Sequence, residues 1–267
     1  MQSSSDFSGS KDQPSMKLLY RKALEALNDA EIPYLVGGAH GLNYYTGIWR
    51  DTKDLDIFVL PDDHDRGLQA LEKSGFRTVL THPHWLGKAI NGEYFIDIIF
   101  SSGNAIGRVD NIWFTYAAEG NIMGVPAKIC PAEEMIWSKA FIMERERYDG
   151  ADIMHFLLAC AEGLDWKRLL WRFDNYWRVI YSYLILFGFV YPSERTKVPV
   201  WVMNELSARL EKETDEKPPG ESICQGTLLS KTQFKIDVEE RGFKDARRIP
   251  FGKMTREEIT HWDNFDT

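Results

Sequence analysis

Cysteine is scarce in this sequence and follows no pattern. The 267 residues include three cysteines, Cys130, Cys160 and Cys224, which are odd in number and far apart. Such spacing gives neither a disulfide framework nor a zinc knuckle. A reducing compartment fits this composition best, and we expect a cytoplasmic protein.

The sequence also lacks an excess of positive charge. It contains 32 Lys and Arg residues against 40 Asp and Glu residues, which gives a formal net charge of −8. Because no global basic field would draw the chain to nucleic acid or to an anionic membrane, the composition disfavours proteins that act mainly by binding either one. Local basic patches are still compatible with it.

Long apolar segments are absent as well. The most apolar stretch, VIYSYLILFGFVYP from Val179, is too short to span a bilayer and predicts a core helix instead. The N-terminal segment has no apolar run typical of a signal peptide, and its serine-rich composition predicts a disordered tail over residues 1–15. We therefore expect no membrane partner.

The sequence does contain enough apolar side chains for a packed interior, with 44% apolar and 13% aromatic residues. In the first half, apolar periodicity and turn residues predict alternating helices and strands. Ser15 is predicted to cap a helix over residues 16–30. A second helix should begin at Gly37 and Gly38, and a third should cover DDHDRGLQALEKSG. The predicted strands are YLVGG, DLDIFVL, FRTVLTH and EYFIDIIF.

The second half changes character after Pro131. Its apolar spacing predicts four long helices, over residues 132–147, 150–162, 166–188 and 200–212. The remaining polar segment is expected to form a strap over this helical half. The order of elements predicts an α+β protein with a tail (1–15), an α/β domain (16–130), a helical domain (131–212) and a polar C-terminal extension (213–267).

Three aspartates lie where buried apolar residues are expected. Asp54 and Asp56 in DLDIFV project from one face of a predicted strand, roughly 6.6 Å apart along the backbone, where like charges repel. Asp97 stands alone in the apolar run YFIDIIF, which is typical of a central strand. If the two strands are neighbours, the three carboxylates converge. Such oxygen ligands suit Mg²⁺, and two ions about 3.5–4 Å apart can activate a hydroxyl and neutralise a pyrophosphate leaving group.

An isolated D-x-D pair is common at surface turns and helix caps, so the combination with other features is what points to chemistry. The segments LVGGAHGLNYY, RDTKDLDIFV and EYFIDII together resemble the nucleotidyltransferase superfamily related to DNA polymerase β. The resemblance covers residues 32–99. It implies a nucleotidyltransferase fold with a small mixed β-sheet and flanking helices. It also implies two Mg²⁺ ions, with Mn²⁺ as an alternative, and transfer of a nucleoside monophosphate from an NTP to an acceptor hydroxyl.

The same resemblance implies roles for further residues. Gly37 and Gly38 match glycines whose loop and helix N-terminus hold the triphosphate. The segment SKAFIMERERYDGADIMHFLLAC is similar to the AbiEii-type branch, which implies that Lys139 reaches the triphosphate and that Asp152 orients it or the acceptor. Arg50 is expected to neutralise phosphate. Lys139, Asp152 and Arg50 are each also compatible with a solvated helix face or turn.

The acceptor is open at this point: an RNA end, a protein or a small molecule. Alternatives are an antibiotic adenylyltransferase of the aminoglycoside or lincosamide type, an inactive nucleotide-binding module, and an RNA-binding protein that performs no chemistry. His82 and His84, with Trp85 nearby, suggest either a metal pair or part of a nucleotide or acceptor pocket. Two histidines without a third ligand seldom form a zinc site.

Overall fold

The structure is a computed structural model that describes residues 14–265. The predicted tail therefore lies outside the described residues, except for Pro14 and Ser15. These two residues belong to helix α1 (Pro14–Asp29), so Ser15 lies inside the helix and does not cap it from outside. No helix within residues 14–265 combines the length and the apolar composition that crossing a bilayer requires.

A seven-stranded mixed sheet organises the first half, with the strand order β3-β4-β5-β2-β1-β7-β6. β2 pairs in parallel with β5, and β1 in parallel with β7, while the other neighbours are antiparallel. This sheet, with the helices that flank it, confirms the α+β class. The strands are β1 (Tyr34–Val36), β2 (Asp54–Val59), β3 (Arg77–His82), β4 (Leu86–Asn91), β5 (Tyr94–Ile99), β6 (Ala118–Ile122) and β7 (Val125–Ile129).

Three of these strands, β4, β6 and β7, are absent from the sequence-based prediction. β4 contains Gly87 and β7 contains Pro126, residues that lower strand propensity, and β6 is largely polar. These segments become strands because neighbouring strands offer them backbone partners. β7, for example, alternates buried and exposed residues between β1 and β6.

Two apolar clusters lie on opposite sides of the sheet. One cluster packs the sheet against α1 and α3 (His64–Lys73), with Leu24 and Leu71 fully buried. The other joins Phe58 of β2 to the helical half. The short helices α2 (Gly38–Thr46) and α4 (Asn111–Thr115) connect strands, and α2 contacts both β2 and the helical half.

The helical half contains α5 (Ala132–Ala140), α6 (Gly150–Cys160), α7 (Trp166–Phe173), α8 (Trp177–Val190) and α9 (Val200–Asp215). Two predicted boundaries are wrong. The helix predicted over 132–147 stops at Ala140, and residues 141–149 form a loop in which Met143 and Tyr148 pair. The helix predicted over 166–188 is interrupted at Asp174, which has a positive φ of 38°.

The loop after α5 is not helical because its side chains make tertiary contacts. The Glu144 carboxylate accepts hydrogen bonds from the Ser230 hydroxyl and, at 2.7 Å, from the Lys231 backbone N–H. Helix propensity is a weak preference, and contacts of this kind override it.

The C-terminal extension contains β8 (Ile223–Cys224), α10 (Lys235–Glu239), β9 (Lys244–Asp245) and α11 (Arg256–Asn264). It contacts more than the helical half, contrary to the sequence-based expectation. The Asn104 amide donates to the Leu228 carbonyl at 2.7 Å, and His261 Nε2 lies 3.1 Å from the Thr81 carbonyl. The extension therefore also covers the β3 side of the sheet.

His82 and His84 lie beneath this extension. His82 is fully buried and stacks on Trp85 at 5.3 Å, and the rings of His261 and Phe265 meet it edge-on at 5.3 and 5.1 Å. Within residues 14–265, no histidine belongs to a cluster that could hold a metal ion. Burial, with the neighbouring His261 and His84, lowers the pKa of His82 from 6.5 to about 4.

We expect His82→Phe to reduce the acid sensitivity of the fold. The unfolded chain protonates His82 below about pH 6.5, whereas the folded chain resists protonation until about pH 4, so stability falls as the pH drops through this window. Between about pH 7 and about pH 4.5, wild type should lose about 2–3 kcal/mol more than the variant. Urea unfolding at both pH values measures this, and equal losses would contradict the assignment.

Candidate active site

The three aspartates identified in the sequence converge on one face of the sheet. Parallel pairing of β2 with β5 places Asp56 opposite Asp97, and Asp54 lies two residues earlier in β2. One carboxylate oxygen from each of the three lies within 4.8 Å of the others. Asp54 and Asp56 are partly exposed, and Asp97 is buried. We call these three residues the aspartate triad.

The opposite face of the same strands keeps the triad in place. Leu55 and Ile57 of β2, with Ile96 and Ile98 of β5, are fully buried in the cluster under α1 and α3. Side chains alternate along a strand, so a slip of one residue would bury the carboxylates in that apolar cluster. Apolar packing thus fixes the register that brings the like charges together.

The triad is electrostatically strained. Burial, followed by the charges of Asp54 and Asp97, raises the pKa of Asp56 from 3.8 to about 7. Burial also raises the pKa of Asp97, an effect that Lys88 opposes. A divalent cation would relieve this repulsion, and an all-carboxylate donor set fits Mg²⁺ or Mn²⁺. The residues present therefore fit the metal that the resemblance implies.

Gly38 lies directly against the triad. It follows β1 as the first residue of α2 and has a positive φ of 54°, and a methyl group placed on it would lie 1.7 Å from Asp56 Oδ2. The preceding Gly37 donates its N–H to the Asp56 carbonyl at 3.0 Å and makes no side-chain cap. The uncapped N-terminus of α2 therefore meets the carboxylates, in a position suited to bind an anion.

Lys139, Asp152 and Arg50, which the sequence suggested one at a time, form one network. Lys139 Nζ lies 2.8 Å from Asp149 Oδ2 and 2.9 Å from Asp152 Oδ2, and Arg50 Nη1 lies 2.5 Å from Asp152 Oδ1. Burial acts to lower the pKa of Lys139, but Asp149 and Asp152 together raise it, so the ammonium stays charged. Arg50 thereby links the turn before β2 to α6.

Sequence reasoning missed several residues of this region. Lys88 of β4 lies opposite Asp97 and contacts both oxygens of its carboxylate, and the Thr52 hydroxyl donates to Asp54. Asp149 joins the Lys139 network, with Arg147 donating to it at 3.2 Å. Lys88 was missed because β4 was not predicted. The segment LGKAIN has no regular alternation of apolar and polar residues, so local periodicity offered no clear signal for this strand.

A cavity of about 260 Å³ lies elsewhere, next to Trp137, Arg172 and Lys253. No residue of the triad lines it. The acidic and basic groups described above occupy a different region of the protein.

No family model matches the chain, and no curated protein does. Among solved structures, the antibiotic-resistance factor ANT(2'')-Ia is similar, with 18% identity over 64% of this chain and 95% of its own, at a TM-score of 0.46. The lincosamide antibiotic adenylyltransferase LnuA has 17% identity over 55% of this chain and 98% of its own, at a TM-score of 0.39. An antigenic nucleotidyltransferase-like protein from Paracoccidioides brasiliensis has 16% identity over 68% of this chain and 91% of its own, at a TM-score of 0.46.

We expect Asp56→Asn to stabilise the protein in EDTA at alkaline pH. The unfolded carboxyl ionises near 3.8 and the folded one near 7, so wild-type stability falls as the pH rises between these values. The variant should gain about 2–4 kcal/mol at about pH 8 and almost nothing at about pH 4. Chemical unfolding at both pH values measures this. Asp62→Asn, at an exposed aspartate, is the control and should show no such gain.

We expect Gly38→Ala to destabilise the protein more than Gly47→Ala, which is its matched control at the other end of α2. Both glycines have positive φ, but no atom lies within 4 Å of the methyl group that alanine would add at Gly47. Gly47→Ala should cost about 1–2 kcal/mol from backbone strain alone. Gly38→Ala should cost at least about 2 kcal/mol more because its methyl group displaces the Asp56 carboxylate. Equal costs in thermal unfolding would show that Gly38 has no such contact.

Proposed function

We propose that the protein is a metal-dependent nucleotidyltransferase that moves a nucleoside monophosphate from an NTP to an acceptor hydroxyl. The observation that carries this proposal is the convergence of Asp54, Asp56 and Asp97 against the uncapped N-terminus of α2 at Gly38. Such a site places cation ligands beside an anion-binding helix end. A metal triphosphate needs both.

In this proposal the triad would hold two Mg²⁺ ions, or Mn²⁺ in their place. Asp54 and Asp56 would bind the ion that accompanies the triphosphate, and Asp97 would bind the second ion. The metal, when bound, neutralises the charge of the triphosphate and makes the acceptor hydroxyl easier to deprotonate. Asp97, which lies on the other strand, is the carboxylate that we assign to receive the hydroxyl proton.

The phosphates have two further sources of positive charge. The backbone N–H of Gly38 and the dipole of α2 favour an anion without any basic side chain, and Gly37, whose N–H donates to the Asp56 carbonyl, holds the loop before the helix in place. Lys139 and Arg50 add full charges, and Asp152 orients both through the ion pairs described above. We therefore assign Lys139 and Arg50 to the triphosphate and Asp152 to their positioning.

The reaction is a displacement at the α-phosphorus. The acceptor oxygen forms a bond to the α-phosphorus, and the bond between that phosphorus and the oxygen bridging to the β-phosphate breaks. Pyrophosphate leaves with the electron pair, and the hydroxyl proton passes to Asp97 and then to water. An inactive nucleotide-binding module would usually lack one of the carboxylates, whereas all three are present here.

The first test is nucleotide binding. Calorimetry with ATP, GTP, CTP and UTP, with and without Mg²⁺, should detect metal-dependent binding of at least one NTP. Absence of metal-dependent binding for all four would overturn the proposed function. The protein is then incubated with cell extract and α-labelled NTP. This experiment shows whether the label enters RNA, protein or a small molecule such as an antibiotic.

Asp97→Asn should separate nucleotide binding from transfer. The substitution is nearly isosteric, and the amide cannot serve as a base or as a strong cation ligand. We expect Mg-NTP affinity to change by less than about tenfold and single-turnover transfer to fall by at least about 100-fold. Asp62→Asn should preserve both. If affinity falls as much as rate, Asp97 acts in ground-state binding and the assigned role is wrong.

A further inference from the structure

Lys88 makes a direct contact with the triad that the proposed function does not use. It lies on β4, opposite Asp97 in the antiparallel register, and its Nζ is 3.0 Å from Oδ1 and 3.3 Å from Oδ2 of that carboxylate. The ammonium also lies 4.2 Å from the centre of the Phe95 ring. Within residues 14–265, Lys88 is the only basic side chain that forms an ion pair with the triad.

This contact is not needed to hold the two strands together. β4 and β5 pair along six consecutive positions, from Leu86 opposite Ile99 to Asn91 opposite Tyr94. The backbone hydrogen bonds of this ladder, together with the buried pair Ala89 and Ile96, hold the two strands in register without any side-chain ion pair. The lysine and aspartate therefore require an explanation beyond strand pairing.

The ammonium occupies the place where Asp97 would bind a cation. A divalent ion on Asp97 needs the same carboxylate oxygens, and two positive charges a few ångströms apart repel each other strongly. Lysine suits a replaceable contact because its charge is compact and its stem is flexible. The Lys88 side chain is 27% exposed, so it has access to solvent when it leaves.

We propose that Lys88 is a positioning residue that excludes a divalent ion from Asp97 until the metal nucleotide binds. This inference rests on the proposed function. The charges of Lys139 and Arg147 act on Asp56 from a greater distance. Among the described residues no basic side chain forms an ion pair with Asp54 or Asp56, so these two are available first to the ion that accompanies the triphosphate. The triphosphate then attracts the released ammonium, and Asp97 becomes available last. In this order of events Lys88 stays paired with Asp97, the proposed proton acceptor, until the substrate has bound.

The test is a Mn²⁺ titration of the full chain. Calorimetry measures the binding, and electron paramagnetic resonance measures the concentration of free Mn²⁺. Without nucleotide, Lys88→Met should bind Mn²⁺ at least about tenfold more tightly than wild type, because the competing charge is gone. Lys88→Arg should resemble wild type because it keeps the charge. Lys88→Gln is a second neutral variant and should behave like Lys88→Met.

Lys53→Met is the matched control. Lys53 directly precedes Asp54, but its ammonium is 3.8 Å from Glu93 and 71% of its side chain is exposed. Its removal should change Mn²⁺ affinity by less than about threefold, since exposed charges are screened by water and salt. An effect as large as that of Lys88→Met would show a general charge effect and would overturn the inference.

A non-hydrolysable NTP analogue completes the test. With the analogue bound, the difference in Mn²⁺ affinity between wild type and Lys88→Met should shrink, because the ammonium has already left Asp97. If both proteins bind Mn²⁺ equally without nucleotide, the inference fails and the proposed function stands. If neither binds Mn²⁺ with or without the analogue, the metal site itself is wrong and both proposals fail.

Discussion

Repulsion among three carboxylates is the constraint on which the rest of the candidate site depends. Asp54, Asp56 and Asp97 would separate if their strands were free to shift. The apolar side chains on the other face of β2 and β5 prevent this, because any shift in register would expose them and bury charge. Hydrophobic burial thus supplies the free energy that keeps the site strained, and a bound cation would release that strain.

The positive groups around the triad differ in how firmly they are held. Lys88 contacts Asp97 directly and is partly exposed. Lys139 is held by Asp149 and Asp152, and its helix α5 is tied to α7 by buried ion pairs, in which Arg168 contacts Glu133 and Glu134. Removing one partner from such a buried network leaves an unpaired charge. Several ion pairs within the helical half therefore hold Lys139, whereas the ion pair of Lys88 is made with Asp97 alone.

Much of the site could be predicted from the sequence because it lies in short, local patterns. Asp54 and Asp56 share a face through strand alternation, and Gly38 adopts a positive φ that glycine tolerates best. The boundaries were less predictable. The helix expected over 132–147 ends at Ala140, because Glu144 binds the distant Ser230 and Lys231, and no local periodicity records such a contact.

The sequence by itself determined the α+β class, the strands that carry the three aspartates and the glycines at the start of α2. Tertiary structure alone decided that β2 and β5 are neighbours, that Lys88 faces Asp97 and that Arg50 meets Asp152 on α6. The physical reason is the range of the interactions. Side-chain alternation and backbone preference act over a few residues, whereas strand pairing and ion pairs join residues that are far apart in the chain.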